Sequence, residues 1–102
     1  MGIDISSKLY QSHARGSERG LTLIHWCPGC KGPHLINVEK PNHLGAVWVW
    51  DGNADVPTFN PSINIVGHCH YFIHGGQIQF CGDSKHALAN QTVPLPDLPK
   101  DW

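Results

Sequence analysis

The stretch Pro57–Cys81, PTFNPSINIVGHCHYFIHGGQIQFC, decides the fold. Its second half alternates apolar and polar side chains with a period of two, the pattern of a strand with one buried face. His70–His74 and Gln77–Cys81 read as the arms of a hairpin. Gly75-Gly76 is its turn, because a tight primed turn needs positive φ at both central residues. A turn of that length sets Ile73 opposite Ile78, Tyr71 opposite Phe80 and His70 opposite Cys81. One face then carries Cys69, Tyr71, Ile73, Ile78 and Phe80, which is a core face. The other carries His70, Phe72, His74, Gln77, Gln79 and Cys81, which is too polar to bury without a purpose. Just upstream, Asn60-Pro61-Ser62 leads into a short apolar strand with Ile63 and Ile65, so a Ser, a His and a Cys share one compact stretch.

The same reading extends outward. Leu21–Trp26, Leu35–Val38 and Ala46–Trp50 are further strands, separated by the turn signals Cys27-Pro28-Gly29-Cys30, Lys40-Pro41-Asn42 and Asp51-Gly52-Asn53. Residues 1–19 show little periodicity and read as an N-terminal arm that packs loosely. After the hairpin, Asp83-Ser84 caps a short helix, Lys85–Ala89, with Asn90 in the left-handed position at its end. Pro94, Pro96 and Pro99 keep the tail extended, anchored through Leu95, Leu98 or Trp102. The expected fold is a small antiparallel β-sandwich or partly open barrel, with one domain over residues 20–102.

At 102 residues the chain supports a single modest core. Seven basic and eight acidic residues leave a net charge of −1, which excludes the electrostatic footprint of a nucleic-acid or anionic-membrane binder. The sequence shows neither a signal peptide nor a transmembrane run, so the expected location is the cytoplasm. Four cysteines in such a compartment bind metal, react or sit buried more often than they bridge. Nothing in the sequence defines the oligomeric state.

Two constellations carry chemistry. Cys27 and Cys30, spaced as a knuckle, can grip one tetrahedral Zn2+, and Gly29 lets backbone amides turn toward the sulfurs. Further ligands are needed, and the candidates are His34, Cys69, Cys81 and His86. Strand parity puts Cys69 and Cys81 on opposite faces of the hairpin, so the expected set is Cys27, Cys30, Cys69 and His86. The second constellation is a dyad in which His70 removes a proton from Ser62, allowing the hydroxyl to attack a carbonyl. Ser84 with His86 is a competing pair, and Cys81 across from His70 is a third possible nucleophile. The plainer alternatives are a turn hydroxyl and a half-exposed strand histidine.

Taken together, Trp26-Cys27-Pro28-Gly29-Cys30 with His34, the PTFNPSI segment, CHYFIHGGQIQF and DSKHALANQTVPLPDLP resemble a family of small phage and prophage proteins over residues 20–99. Members are often labelled "ammonia monooxygenase", which a chain of this size and composition does not support. Asn90 stands where that family has Gly, and Cys81 where it has an aliphatic residue. Over residues 21–81 the chain is also similar to the Ser–His peptidases of bacterial ubiquitin-like conjugation operons, whose Pro-Ser element and strand His fall on Ser62 and His70. These resemblances imply a phage-type, zinc-stabilised hydrolase of a bacterial host cell. It would act on a ubiquitin-like protein or its conjugate and so counter host defence. The competing classes are a non-catalytic zinc-binding module that occupies a host protein, and a minor virion or assembly component.

Overall fold

A computed structural model describes residues 2–102. Nine strands run in chain order: β1 (Ile3–Asp4), β2 (Tyr10–His13), β3 (Thr22–Cys27), β4 (Gly32–Asn37), β5 (Val49–Trp50), β6 (Phe59–Ile65), β7 (Cys69–His74), β8 (Gln77–Phe80) and β9 (Thr92–Pro94). They form two antiparallel sheets, ordered β1-β2-β3-β4 and β5-β6-β7-β8-β9. A single core joins them: Leu23 and Ile36 of the first sheet, with Leu9 and Leu21 just ahead of β2 and β3, meet Phe59, Ile63, Tyr71, Ile73, Ile78 and Phe80 of the second. No helix among the described residues is long and apolar enough to cross a membrane.

The β7–β8 hairpin has the register its alternation demands, with Tyr71 opposite Phe80 and Ile73 opposite Ile78. Gly75 and Gly76 take φ values of 56° and 79° at the turn. Gly76 is doubly constrained, because a Cβ there would lie 2.9 Å from the Val56 Cα. Burial alternates along β7 as expected, with Cys69, Tyr71 and Ile73 inside and Phe72 and His74 outside.

Three local expectations change. Residues 85–89 form no helix; they make successive turns, with Ala89 N–H donating to His86 O (3.3 Å) and Gln91 N–H to Leu88 O (3.0 Å). Five residues are too few to offset helix nucleation, and the segment is already tied to the strand ends by the Lys85 N–H donating to His68 O. Asn90 does take the left-handed conformation, at φ 67°. Within Ala46–Trp50 only Val49 and Trp50 pair as a strand, because the Trp48 N–H turns to Asn37 O at the end of the other sheet. The first nineteen residues, read as a loose arm, instead supply β1 and β2, and Leu9 is fully buried.

The tail holds that N-terminal segment in place. β9 pairs with β8, Leu95 is buried, and the Lys8 ammonium donates to Leu95 O. Leu98 N–H donates to Ser7 O, and the Trp102 ring packs edge-on against Tyr10 at 5.2 Å.

Candidate active site and metal cluster

Two clusters lie on opposite faces of β7, and parity alone separates them: Cys69 points inward and its neighbour His70 outward. On the outer face, β6 is irregular between Phe59, opposite Ile73, and Ile63, opposite Tyr71. Three residues, Asn60, Pro61 and Ser62, thus face the single residue Phe72, and the bulge aims the Ser62 hydroxyl along the sheet toward His70. Ser62 Oγ lies 3.1 Å from His70 Nε2. The opposite ring nitrogen, Nδ1, lies 3.2 Å from both carboxylate oxygens of Asp83. A hydroxyl, an imidazole and a carboxylate therefore stand in one hydrogen-bonded row. The His70 side chain is 26% exposed and that of Asp83 is 65% exposed, so the row lies open to solvent.

Local sequence chemistry marks Asp83 as a helix cap; in the structure it instead makes this contact with His70. Hairpin register would have found it: Cys81 stands opposite His70, with its N–H donating to His70 O, and Asp83 is the first acid beyond. Ser84 explains how Asp83 stays there. Its buried hydroxyl accepts from His70 N–H at 3.1 Å and donates to His70 O at 2.9 Å, fastening the turn to β7. That double bond to backbone leaves the Ser84 hydroxyl turned away from His86. Cys81 Sγ sits beside the row, within 4.8 Å of the His70 and Asp83 ligand atoms.

Behind β7, Cys27, Cys30, Cys69 and His86 converge, with all four potential ligand atoms within 4.8 Å of one another. Cys27 Sγ and Cys69 Sγ are 4.0 Å apart, and Cys69 Sγ is 3.3 Å from His86 Nε2. Around one tetrahedral zinc these separations would be about 3.8 Å and about 3.6 Å, so the spacing suits a metal ion. Two local features support the fit. The Cys30 N–H points at Cys27 Sγ (3.3 Å), the amide–sulfur bond that stabilises a thiolate. A Cβ on Gly29 would overlap the His86 ring, so the glycine is what admits the imidazole. Burial first, then the neighbouring Cys27, pushes the Cys69 thiol far up, and burial likewise raises Cys27.

His34, an alternative ligand, stands outside this group. Its Nδ1 lies 2.9 Å from the Tyr71 hydroxyl, which also meets His25 Nε2 at 2.7 Å. Burial, then the charge of His86, lowers the His34 pKa to about 4, and burial, then His34, lowers that of His25 to about 3. Both are held neutral, His25 fully buried and His34 half-buried at the edge of the core.

Fold and site together define a small β protein with a serine–histidine–carboxylate row on one face of a hairpin and a cysteine–histidine cluster on the other. The family model for "Bacterial ubiquitination-like system serine protease (BubE)" matches residues 4–81, most of the chain, and the chain belongs to that family. Such proteins are serine proteases of bacterial ubiquitination-like systems. The match falls on the second of the two resemblances read from the sequence; the phage and prophage likeness gains no support from it. It ends at Cys81, so the placement of Asp83 and His86 stands on geometry. No curated protein and no solved structure matches the chain.

Proposed function

We propose that Ser62 is the nucleophile, His70 the general base and Asp83 the carboxylate that orients it. The bond cleaved would be a peptide or isopeptide bond at the C-terminal tail of a ubiquitin-like protein. The carrying observation is the row itself, Ser62 Oγ to His70 Nε2 at 3.1 Å and His70 Nδ1 to Asp83 at 3.2 Å. Asp83 accepts the Nδ1 proton, which leaves a lone pair on Nε2 facing the hydroxyl. As Ser62 attacks, its proton passes to Nε2, and His70 then returns that proton to the leaving amine. Trp48 Nε1 donates to Ser62 O at 3.2 Å and steadies the nucleophile's backbone. Ser62 has no cross-strand partner at the irregularity in β6, which makes its N–H a candidate donor to the oxyanion.

The sheet edge supports a polypeptide substrate. His70 commits its N–H to Ser84 and its C=O to Cys81, both on the β8 side. Asn64, opposite His70, is therefore a non-hydrogen-bonded partner, and its own N–H and C=O face the other edge. β5 pairs with β6 only as far as Asn60 and the Trp48 indole takes the Ser62 carbonyl, so the edge that can accept an added strand is the one beyond Ser62, at Asn64. Two cavities, of about 480 Å³ and about 320 Å³, lie elsewhere and include none of the three residues. An extended tail laid along an open edge fits this surface better than a small molecule.

The thiol–imidazole cluster is read as a structural Zn2+ site held by Cys27, Cys30, Cys69 and His86. Its four-ligand set, with Cys27 and Cys69 buried, His86 half-buried and Cys30 exposed, leaves no open position for chemistry. Four free cysteines fit a reducing bacterial cytoplasm.

The test is labelling with a fluorophosphonate, which phosphonylates an activated serine without requiring the natural substrate. Mass spectrometry should find the adduct on Ser62, and Ser62→Ala and His70→Ala should each abolish it while keeping fold and metal. An adduct on Ser84 would move the nucleophile. No adduct, together with retained binding of a ubiquitin-like partner, would favour the non-catalytic binding module.

A further inference from the structure

His70, Cys81 and Asp83 form a second group of metal-ligating side chains, distinct from the cluster behind β7, and Cys81 has no part in the proposed hydrolysis. A nitrogen, a sulfur and a carboxylate oxygen from these residues lie within 4.8 Å of one another. The nitrogen that faces Asp83 is His70 Nδ1, at 3.2 Å. Nitrogen and oxygen ligands on one tetrahedral zinc would stand about 3.4 Å apart, so this edge of the site is already close to its bound length. The hairpin supplies the third ligand, because Cys81 is opposite His70 and its N–H is held on His70 O at 2.8 Å. The Cys81 side chain stands on the outer face, away from the buried thiols. A serine hydrolase needs no thiol at this point.

We propose that these three residues form an inhibitory site for a thiophilic divalent cation such as Zn2+, reversibly shutting off the base. The ring proton would shift from Nδ1 to Nε2 through solvent, freeing the Nδ1 lone pair for the metal, and Cys81 would release its thiol proton to solvent. Asp83 would exchange its hydrogen bond for a metal bond. A ring ligated at Nδ1 carries its remaining proton on Nε2. That nitrogen then donates to Ser62 and cannot accept the hydroxyl proton, so the nucleophile is left unactivated. Three ligands, half-exposed, make a weaker site than the four-ligand cluster behind β7. The site therefore fills only when free zinc rises, after the structural position is satisfied.

The inhibitory part rests on His70 acting as the base; the binding part does not. The experiment uses the zinc-replete protein and Cys81→Ala. Equilibrium dialysis against free Zn2+, followed by elemental analysis, should give two zinc ions per wild-type chain and one per Cys81→Ala chain. In parallel, fluorophosphonate labelling of Ser62 should be suppressed by zinc in the wild type and restored by chelation. Cys81→Ala should raise the zinc concentration needed on the order of tenfold or more, about 1.4 kcal/mol, with its zinc-free labelling rate within about twofold of wild type. Equal stoichiometry in the two proteins, or equal inhibition of both, overturns the proposal. If Ser62 never labels but the second ion binds only with Cys81 present, the metal site stands and the catalytic reading fails.

Discussion

Replacing Asp83 tests the row at its least conventional member, an aspartate whose side chain is 65% exposed. In Asp83→Ala, water takes the carboxylate's place beside His70 Nδ1 and the ring is free to choose its tautomer. The loss is mainly the attraction between carboxylate and imidazolium in the transition state. For charges about 4 Å apart that attraction is about 1 kcal/mol in water and about 4 kcal/mol at an effective dielectric of 20. With the imidazole only 26% exposed but the carboxylate largely in solvent, a value of about 1–2 kcal/mol is appropriate, a rate loss of roughly five- to thirtyfold.

Asp83→Asn should be worse, although it is nearly isosteric. The amide N–H can donate to Nδ1, which forces the ring proton onto Nε2, where it opposes activation of Ser62. A buried triad loses about 10⁴-fold from this substitution, and the exposure here lets solvent rescue part of it, so a loss on the order of 10²-fold is expected. The assay is the second-order rate of Ser62 labelling, followed by kcat/KM on a ubiquitin-like protein with a C-terminal extension. Metal content and melting temperature serve as controls for the turn. Rates for both variants within twofold of wild type would refute the orienting role of Asp83, and Asn outperforming Ala would refute the tautomer argument.

Other outcomes follow from the same structure. Ile73→Ala or Phe80→Ala removes a fully buried side chain and should cost about 2–5 kcal/mol in urea unfolding. Gly29→Ala puts a methyl where the His86 ring lies, so it should weaken zinc retention against a chelator, and Cys27→Ser should release the metal and sharply lower stability. His25 is held neutral in the fold, its pKa lowered from 6.5 to about 3, whereas the unfolded chain takes up a proton below pH 6.5. Stability should therefore fall as pH drops from 6.5 toward 3, by about 1.4 kcal/mol per pH unit from this residue, with no contribution above 6.5. Urea midpoints of wild type and His25→Asn across pH 5–7 check the sign, the variant showing the shallower slope.

The legible parts of the molecule were those governed by a single local rule. Alternation over His70–Phe80 gives strand, face and register at once, because a slip of one residue would put Tyr71 and Ile73 in water. The same parity led from Cys27 and Cys30 to Cys69 rather than Cys81. Illegible were features fixed by distant partners. Tyr10–His13 carries no apolar alternation and is a strand only because β3 offers it an edge. Asp83-Ser84 has the local chemistry of a helix cap, but the buried backbone of His70 claims the serine hydroxyl instead. Local propensity cannot reveal that competition, and Asp83 was overlooked with it.

The two clusters are not independent ornaments of the hairpin. Adjacent residues of β7, Cys69 and His70, enter one each, and a single turn supplies Asp83 to the outer row and His86 to the inner cluster. Between them the turn is held by Ser84 on His70 and by the Lys85 N–H on His68 O. A metal ion binding Cys69 and His86 would close a short loop between strand and turn, restricting the freedom of the residues between them. Asp83 is too exposed to be fixed by burial and lies in a segment that forms no regular structure. Its position beside His70 Nδ1 thus depends on the anchors that follow it, three hydrogen bonds made by Ser84 and Lys85 and the cluster that His86 joins behind the sheet. On this argument a metal in the cysteine–histidine cluster would support the proposed catalysis without touching substrate, by holding still the turn that carries Asp83.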